Sequence, residues 1–201
     1  MDKVTLSAAL GMLRRTEKAD IRKEQYSTDV STATDFLLLV DSKSGFDGRN
    51  VADLGGGNGI LGIGAALLGA RNVDVYENDK KMAEIARSNL ASLSVDKCTV
   101  LEKDFFDSEA VYDIVISNPP FGFQSTFNIE AFIVKAGRMA KNVFFIYKDN
   151  KNIRGIASTH GMHVESFGKI RMERTATFHK EEVHLLPICV VYRMEAKDGA
   201  K

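Results

Sequence analysis

Residues 51–64 read VADLGGGNGILGIG, with six glycines, four of them clustered at positions 55, 56, 57 and 59. They stand between a short apolar run and a longer helical one. Glycine without a Cβ adopts positive φ at no steric cost and lets the backbone approach a ligand closely. A strand that turns at once into a helix through such a cluster belongs to few architectures. The segments that follow keep up the alternation: NVDVYE as a strand, DKKMAEIARSNLASL as a helix with Asp79 as its N-cap, CTVLEKD and YDIVIS as strands, residues 128–140 as a helix, NVFFIY as a strand and residues 149–160 as a helix. Strands alternating with helices of this length predict an α/β fold, a mostly parallel sheet with helices on both faces. Such sheets bind ligands at the carboxyl ends of their strands.

The flanks complete a single domain over residues 1–201. Val4, Leu6, Ala9, Leu10 and Leu13 predict an amphipathic helix within residues 3–18. Asp29 or Ser31 caps a second helix running to about Val40. Residues 1–45 are therefore an N-terminal helical extension, and residues 46–195 the core. Gly45 to Gly48 reads as a turn, and Gly69 as the residue closing the helix after the glycine loop. Near the end, VHLLPICVVYRM reads as a late strand or hairpin arm, and Pro187 suggests an edge or a bulge.

Formal net charge is zero, so binding of nucleic acid through bulk charge is excluded and any contact must be local. Residues 148–180 hold such a patch, with Lys148, Lys151, Arg154, Lys169, Arg171, Arg174 and Lys180 against Asp149, Glu165 and Glu173. A solvated surface of uneven charge explains it equally well. No apolar run is long enough to span a bilayer, and the first residues lack a secretory pattern. Cys98 and Cys189 are the only cysteines, and there is no Cys/His cluster. A reducing, cytoplasmic setting is expected, with no metal held by this chain.

The glycine spacing disfavours a dinucleotide. Ile60 stands where Gly55-x-Gly57 would need a third glycine, and the register through Gly62 begins late in the turn. The better fit is D-x-G-x-G-x-G over Asp53, Gly55, Gly57 and Gly59, which resembles the first motif of class I S-adenosylmethionine (SAM) methyltransferases. The resemblance implies a Rossmann-like sheet of seven strands with an antiparallel late strand. It also implies that the amino-acid end of SAM lies across the loop, with an acid nearby for its ammonium. Glu77, past the second strand, offers a carboxylate for the two ribose hydroxyls. In the family pattern an acid after the third strand, here Asp104, accepts from the adenine amine, and the N–H of Phe105 meets the ring. Taken singly, Glu77 or Asp104 could be an ordinary loop acid; three strand ends in register favour the cofactor. Asp79 fits a helix cap better than a ligand.

Asn118-Pro119-Pro120-Phe121 follows the fourth strand. The prolines lack N–H groups and fix φ, and Asn118 before a proline is held extended. The product is a stiff corner with outward acceptors, the Asn118 Oδ1 and the Pro119 carbonyl. Two acceptors can hold the hydrogens of a planar –NH2 and turn its lone pair toward a methyl donor, which is work of orientation and electrostatics. Phe121 offers a face for stacking a base. The bland alternative is an Asn-Pro turn with Phe121 in the core. An N-P-P-F motif in this register marks methylation of planar amines without saying which: adenine N6, guanine N2 and the amide of a protein glutamine all use it.

EQYST, ADLGGGNGILGIGAALLGA, NPPFG and TFHK together resemble the methyltransferase-like protein 5 family, over about residues 20 to 193. That family usually shows Pro where Ser27 stands and cysteines where Gly56 and Asn58 stand. The resemblance implies N6-methylation of an adenine in small-subunit ribosomal RNA. It implies that Gln25, Tyr26 and Thr28 close over cofactor and base, and that Phe178, His179 and Lys180 lie near the site, with Phe178 as a second stacking face. Read bare, EQYST is a polar loop and His179 a surface histidine. Lys148, ending the fifth strand, suits an RNA phosphate or plain solvent. Family members also work with a small zinc-ribbon activator that adds strands to a sheet edge, for which the third strand, about 97–101, is the candidate here. Three alternatives stay open: a guanine-N2 enzyme, a glutamine-N5 enzyme (disfavoured by the short N-terminal extension) and a SAM-binding RNA scaffold in ribosome assembly.

Overall fold

The computed structural model describes residues 1–15, 28–120, 127–148, 151–171 and 188–196. Helix α1 (Lys3–Gly11) starts where the Asp2 carboxylate accepts from Thr5 N, and α2 (Val30–Ser44) where Asp29 accepts from Thr32 N. The first helix stops at Gly11, short of the expected span, and the second runs beyond Val40 to Gly45, whose φ of 65° ends it.

Then comes the alternation: β1 (Asn50–Leu54), α3 (Ile60–Leu67), β2 (Asn72–Tyr76), α4 (Lys80–Ser92), β3 (Cys98–Leu101), a 3-10 turn (Phe105–Asp107), β4 (Ile114–Ser117), α5 (Ile129–Met139), β5 (Asn142–Lys148) and α6 (Lys151–Thr159). Two long strands follow, β6 (Met162–Arg171) and β7 (Ile188–Ala196). Asp79 caps α4 by accepting from Lys81 and Met82 N, and Asn128 caps α5 by accepting from Ala131 N. Both side chains satisfy orphan N–H groups of a first turn.

All seven strands form one sheet in the order β3-β2-β1-β4-β5-β7-β6. Strands β3, β2, β1, β4 and β5 are mutually parallel, and β7 runs antiparallel to both β5 and β6. The order reverses at β1/β4, where Asp53 is level with Ile116. Strand β6 is an element the sequence pattern did not disclose. Val164 and Ile170 point to the core, but a register shift between Ser166 and Gly168 breaks the alternation that would have revealed it.

The period of two along each strand divides the apolar side chains between two cores. Val51, Val73, Val75, Ile114, Ile116, Phe144 and Ile146 pack under α1, α2, α3 and α4, with Leu6, Leu10, Phe36, Leu37 and Ile63. Ala52, Leu54, Tyr76, Val115, Val143, Phe145 and Tyr147 pack under α5 and α6, with Phe132, Ile133, Met139 and Ile153. Helices α1 and α2 thus share a core with the sheet.

Candidate active site

The turn from β1 to α3 uses glycine where only glycine is comfortable. Gly55, Gly57 and Gly59 have φ of 69°, 58° and 84°. Gly59 is also the N-cap of α3 and so brings no capping side chain. Asp53, near the end of β1, supplies the missing cap from a distance, its Oδ2 accepting from Gly62 N at 2.8 Å. A carboxylate there also meets the positive end of the helix. The loop is packed tightly beneath: a Cβ at Gly56 would lie 2.3 Å from Val75 Cγ1, and one at Gly62 2.4 Å from Val75 Cγ2.

Asp53 is 1% exposed, and its second oxygen, Oδ1, has no partner. Burial pushes its carboxyl up to about 7, against the bond from Gly62, and the nearby charge of Glu77 adds to the rise. Glu77 follows β2 and is engaged on both oxygens. Oε2 accepts from Gly57 N at 2.8 Å and Oε1 from Asp79 N at 2.7 Å. Burial raises its pKa also, opposed by those backbone bonds. Each carboxylate oxygen retains a lone pair, so Glu77 can still accept from hydroxyls. Asp104 stands beyond β3 and caps the 3-10 turn, Oδ1 accepting from Phe106 N at 3.0 Å. Phe105 is half-buried, its ring edge-to-face with Phe132 at 6.1 Å.

At the end of β4, Ser117 Oγ donates to Leu54 O at 2.7 Å and ties the strand to β1. Asn118 comes next, half-buried. Its Nδ2 donates to Thr28 Oγ1 at 2.8 Å, and its Oδ1 is buried with no partner. Pro119 is buried behind it, and Pro120 is half-buried. Asp53, Glu77, Asp104 and Asn118 therefore share one rim, at the carboxyl ends of neighbouring parallel strands. Lys148 ends β5 level with Cys189, while β6 ends at Arg171 and β7 begins at Ile188 on that same rim. Arg154 and Lys169 are exposed. Gln25, Tyr26, Phe121, Phe178, His179, Lys180 and Pro187 lie outside the described residues.

Two buried asparagines join the site without having been singled out in the sequence. Asn89 of α4 accepts from Arg14 N at 2.8 Å and donates to Arg14 O at 3.1 Å and Asn58 O at 2.9 Å. Asn58, in the glycine loop, donates to Arg14 O at 3.0 Å. The chain beyond α1 is thereby stapled to the loop. The signal was there: Asn89 falls on the apolar face of α4 with Met82 and Ala86, where a buried amide requires partners. Beneath the 3-10 turn, Tyr112 donates to Asp74 Oδ2 at 2.7 Å and meets Tyr76 at 2.6 Å, and Tyr76 meets Ser108 at 2.8 Å. Burial and these bonds push the Tyr112 phenol well above its ordinary value. The network holds the loop against β2.

What can this rim hold? Two buried oxygens without partners, Asp53 Oδ1 and Asn118 Oδ1, stand on adjacent strands either side of the switch in strand order. One suits a cation beside a glycine loop and the other an N–H donor. Acids at successive strand ends complete an acceptor set that fits the ammonium, ribose hydroxyls and adenine amine of SAM. Among the described residues no group of His, Cys, Asp and Glu could hold a metal ion.

The family model described as methyltransferase small domain matches residues 25–142. An rRNA N(6)-adenosine-methyltransferase of Caenorhabditis elegans, metl-5, is 30% identical over 90% of this chain and 92% of its own. The crystal structure of a Pyrococcus horikoshii protein superposes with a TM-score of 0.84 at 30% identity, covering 100% of both chains. A magnesium protoporphyrin IX methyltransferase of Synechocystis, solved with bound SAM, shares the fold at a TM-score of 0.64 and 15% identity, covering 97% of both chains.

Proposed function

Because the chain belongs to the methyltransferase small domain family, we propose that it is a SAM-dependent RNA methyltransferase acting on the N6 amine of an adenine in small-subunit ribosomal RNA. The observation that carries this reading is the Asn118 amide, with its NH2 tied off and its oxygen buried and free to accept. SAM supplies an electrophilic methyl on a sulfonium. The chain's own groups do the rest by position.

The glycine loop and Asp53 take the amino-acid end of SAM, Glu77 the ribose, and Asp104 with the Phe105 N–H the adenine. Asn118 Oδ1 and the Pro119 carbonyl accept the two hydrogens of the target amine. That draws the nitrogen out of conjugation and aims its lone pair at the methyl. No strong base would be required first: as the N–C bond forms, the sulfonium's S–CH3 bond would break to leave a neutral thioether, and the proton of the alkylated nitrogen would pass to water. The target base must be out of its stack to reach this corner. By the resemblance, Phe121 and Phe178 would stack on it and Gln25, Tyr26, His179 and Lys180 would serve cofactor and RNA, all at positions outside the described residues; Lys148 would meet backbone phosphate.

The cytoplasm is the place of action in this reading; no described helix is long and apolar enough to cross a membrane. A small zinc-ribbon activator extends the sheet at β3, whose terminal place in the strand order supports that role.

The test uses the full chain with methyl-labelled SAM and, separately, small-subunit ribosomal RNA, DNA and a release factor, followed by digestion and identification of the labelled product. Label in N6-methyladenosine from the RNA is the expected result. Label in N2-methylguanosine or N5-methylglutamine replaces the target. No label from any substrate, with the activator present, favours the scaffold.

A further inference from the structure

An asparagine amide presents an acceptor and a donor at almost the same place, and a half-turn about its last bond exchanges them. At a corner meant to receive an –NH2, only one orientation works. With the oxygen outward, acceptor meets donor. With the nitrogen outward, two donors face each other and the target amine is repelled. The prolines after Asn118 fix its backbone but have no hold on this last torsion.

Among the described residues the Asn118 amide is held from 90 residues away in sequence, where Thr28 Oγ1 accepts from Nδ2 at 2.8 Å. Thr28 is buried, 7% exposed, so water does not readily replace it. It is also rigidly delivered. Asp29, the next residue, is the N-cap of α2, with Oδ1 accepting from Thr32 N at 2.8 Å and Oδ2 from Thr32 Oγ1 at 2.5 Å. Helix α2 is in turn anchored in the core through Phe36, Leu37 and Val40. A hydroxyl can pair with either end of an amide; this one, delivered by a capped and buried helix, accepts from Nδ2 and so leaves Oδ1 without a partner.

We propose that Thr28 is the positioning residue that locks the Asn118 amide with its oxygen toward the target amine, rather than a direct ligand of the cofactor. The inference rests on the reading of Asn118 as acceptor and assigns what makes that acceptor dependable. Losing the hydroxyl leaves Nδ2 without its partner, and the amide is free to present either end.

The experiment measures kcat, KM for RNA and Kd for SAM in Thr28→Val, Thr28→Ser and Asn118→Ala, with the Asn118 side-chain NH2 signals followed by NMR in the cofactor-bound protein. Thr28→Val, nearly the same shape, is expected to lower kcat about tenfold, the worth of one hydrogen bond, with Kd for SAM within about twofold. Thr28→Ser keeps the hydroxyl and restores turnover. The Asn118 NH2 protons exchange slowly with solvent in the parent and Thr28→Ser, and fast in Thr28→Val. If Thr28→Val keeps the parent kcat and slow exchange while Asn118→Ala is inactive, the positioning role is wrong and the acceptor role stands. If Thr28→Val weakens SAM by the factor it loses in kcat/KM, Thr28 is a cofactor ligand and the proposal falls. If Asn118→Ala itself turns over normally, the underlying reading fails. Should Thr28→Val not fold, fast exchange of the NH2 protons in the parent overturns the proposal by itself.

Discussion

The two corners on the rim are built on opposite plans. The corner after β1 and β2 is made of glycine and bound to itself: Glu77 spends both oxygens on loop N–H groups and Asp53 spends one on α3. Its backbone dihedrals are unusual, and buried carboxylates hold them. The corner after β4 is made of proline and needs little holding, because its dihedrals are fixed by covalent rings. There the single side-chain amide is tied by its nitrogen and left open at its oxygen. On the proposed function, a large flexible cofactor would be met by a loop whose shape is enforced by hydrogen bonds, and a small planar amine by a stiff bracket whose one adjustable part is held from outside. Structure and binding would then be the same bonds in the first corner and separate in the second.

That contrast predicts different kinds of damage. The largest effect is expected from Asn118→Ala. It removes an acceptor used only at the reacting amine, so kcat should fall by about a hundredfold or more, while SAM binding by calorimetry and the melting temperature stay near the parent's. An equal loss of SAM affinity would mean that the corners are not separate. Next comes Glu77→Ala, which releases Gly57 and Asp79 N–H from a charged acceptor. Here stability and cofactor affinity should drop together, by about 2–3 kcal/mol in each, as read by urea unfolding and SAM titration. A variant that lost affinity with stability intact would show Glu77 to be a pure ligand.

The most gradual effect, spread over several pH units, sharpens the first corner itself. Asp53 has its carboxyl pushed from 3.8 to about 7 by burial. Between those values the unfolded chain has given up this proton and the folded chain keeps it. The unfolded state therefore binds fewer protons, and stability falls as pH rises through that window, by at most about 1.4 kcal/mol per pH unit. Urea unfolding of the cofactor-free protein across the window should show the decline. Asp53→Asn should flatten it, and saturating SAM should reduce it, because an ammonium beside Oδ1 favours the charged form. A parent protein with no slope would remove Asp53 from the account.

Most of the scaffold was readable because it is local. Asp79 and Asn128 cap helices within three residues, the glycines announce their own dihedrals, and the near-continuous apolar runs of NVADL and IVIS declare strands buried on both faces. What escaped is non-local or out of phase. A bulge put β6 out of step with its own pattern. Asn89 and Arg14, 75 residues apart, meet only because α4 lies against the glycine loop. Asp53 was read as a ligand for an ammonium. Its bond to Gly62 follows from a helix whose N-cap is glycine, and the sequence hints at that duty only through the missing side chain at Gly59. Thr28 could be placed near the site by resemblance. That it touches Asn118 could not be read from either stretch.

The order of the strands also has a consequence for synthesis. The last of the described strands in chain order, β7, lies inside the sheet and not at its border, with β5 on one side and β6 on the other. While the polypeptide is emerging, the five parallel strands can assemble in succession, but β5 keeps a bare apolar flank until residues 188–196 arrive. A nascent chain stalled in between carries a ready template for pairing with a neighbour. Ribosome-bound chains arrested before Ile188 should therefore depend on holding chaperones far more than chains arrested after Ala196.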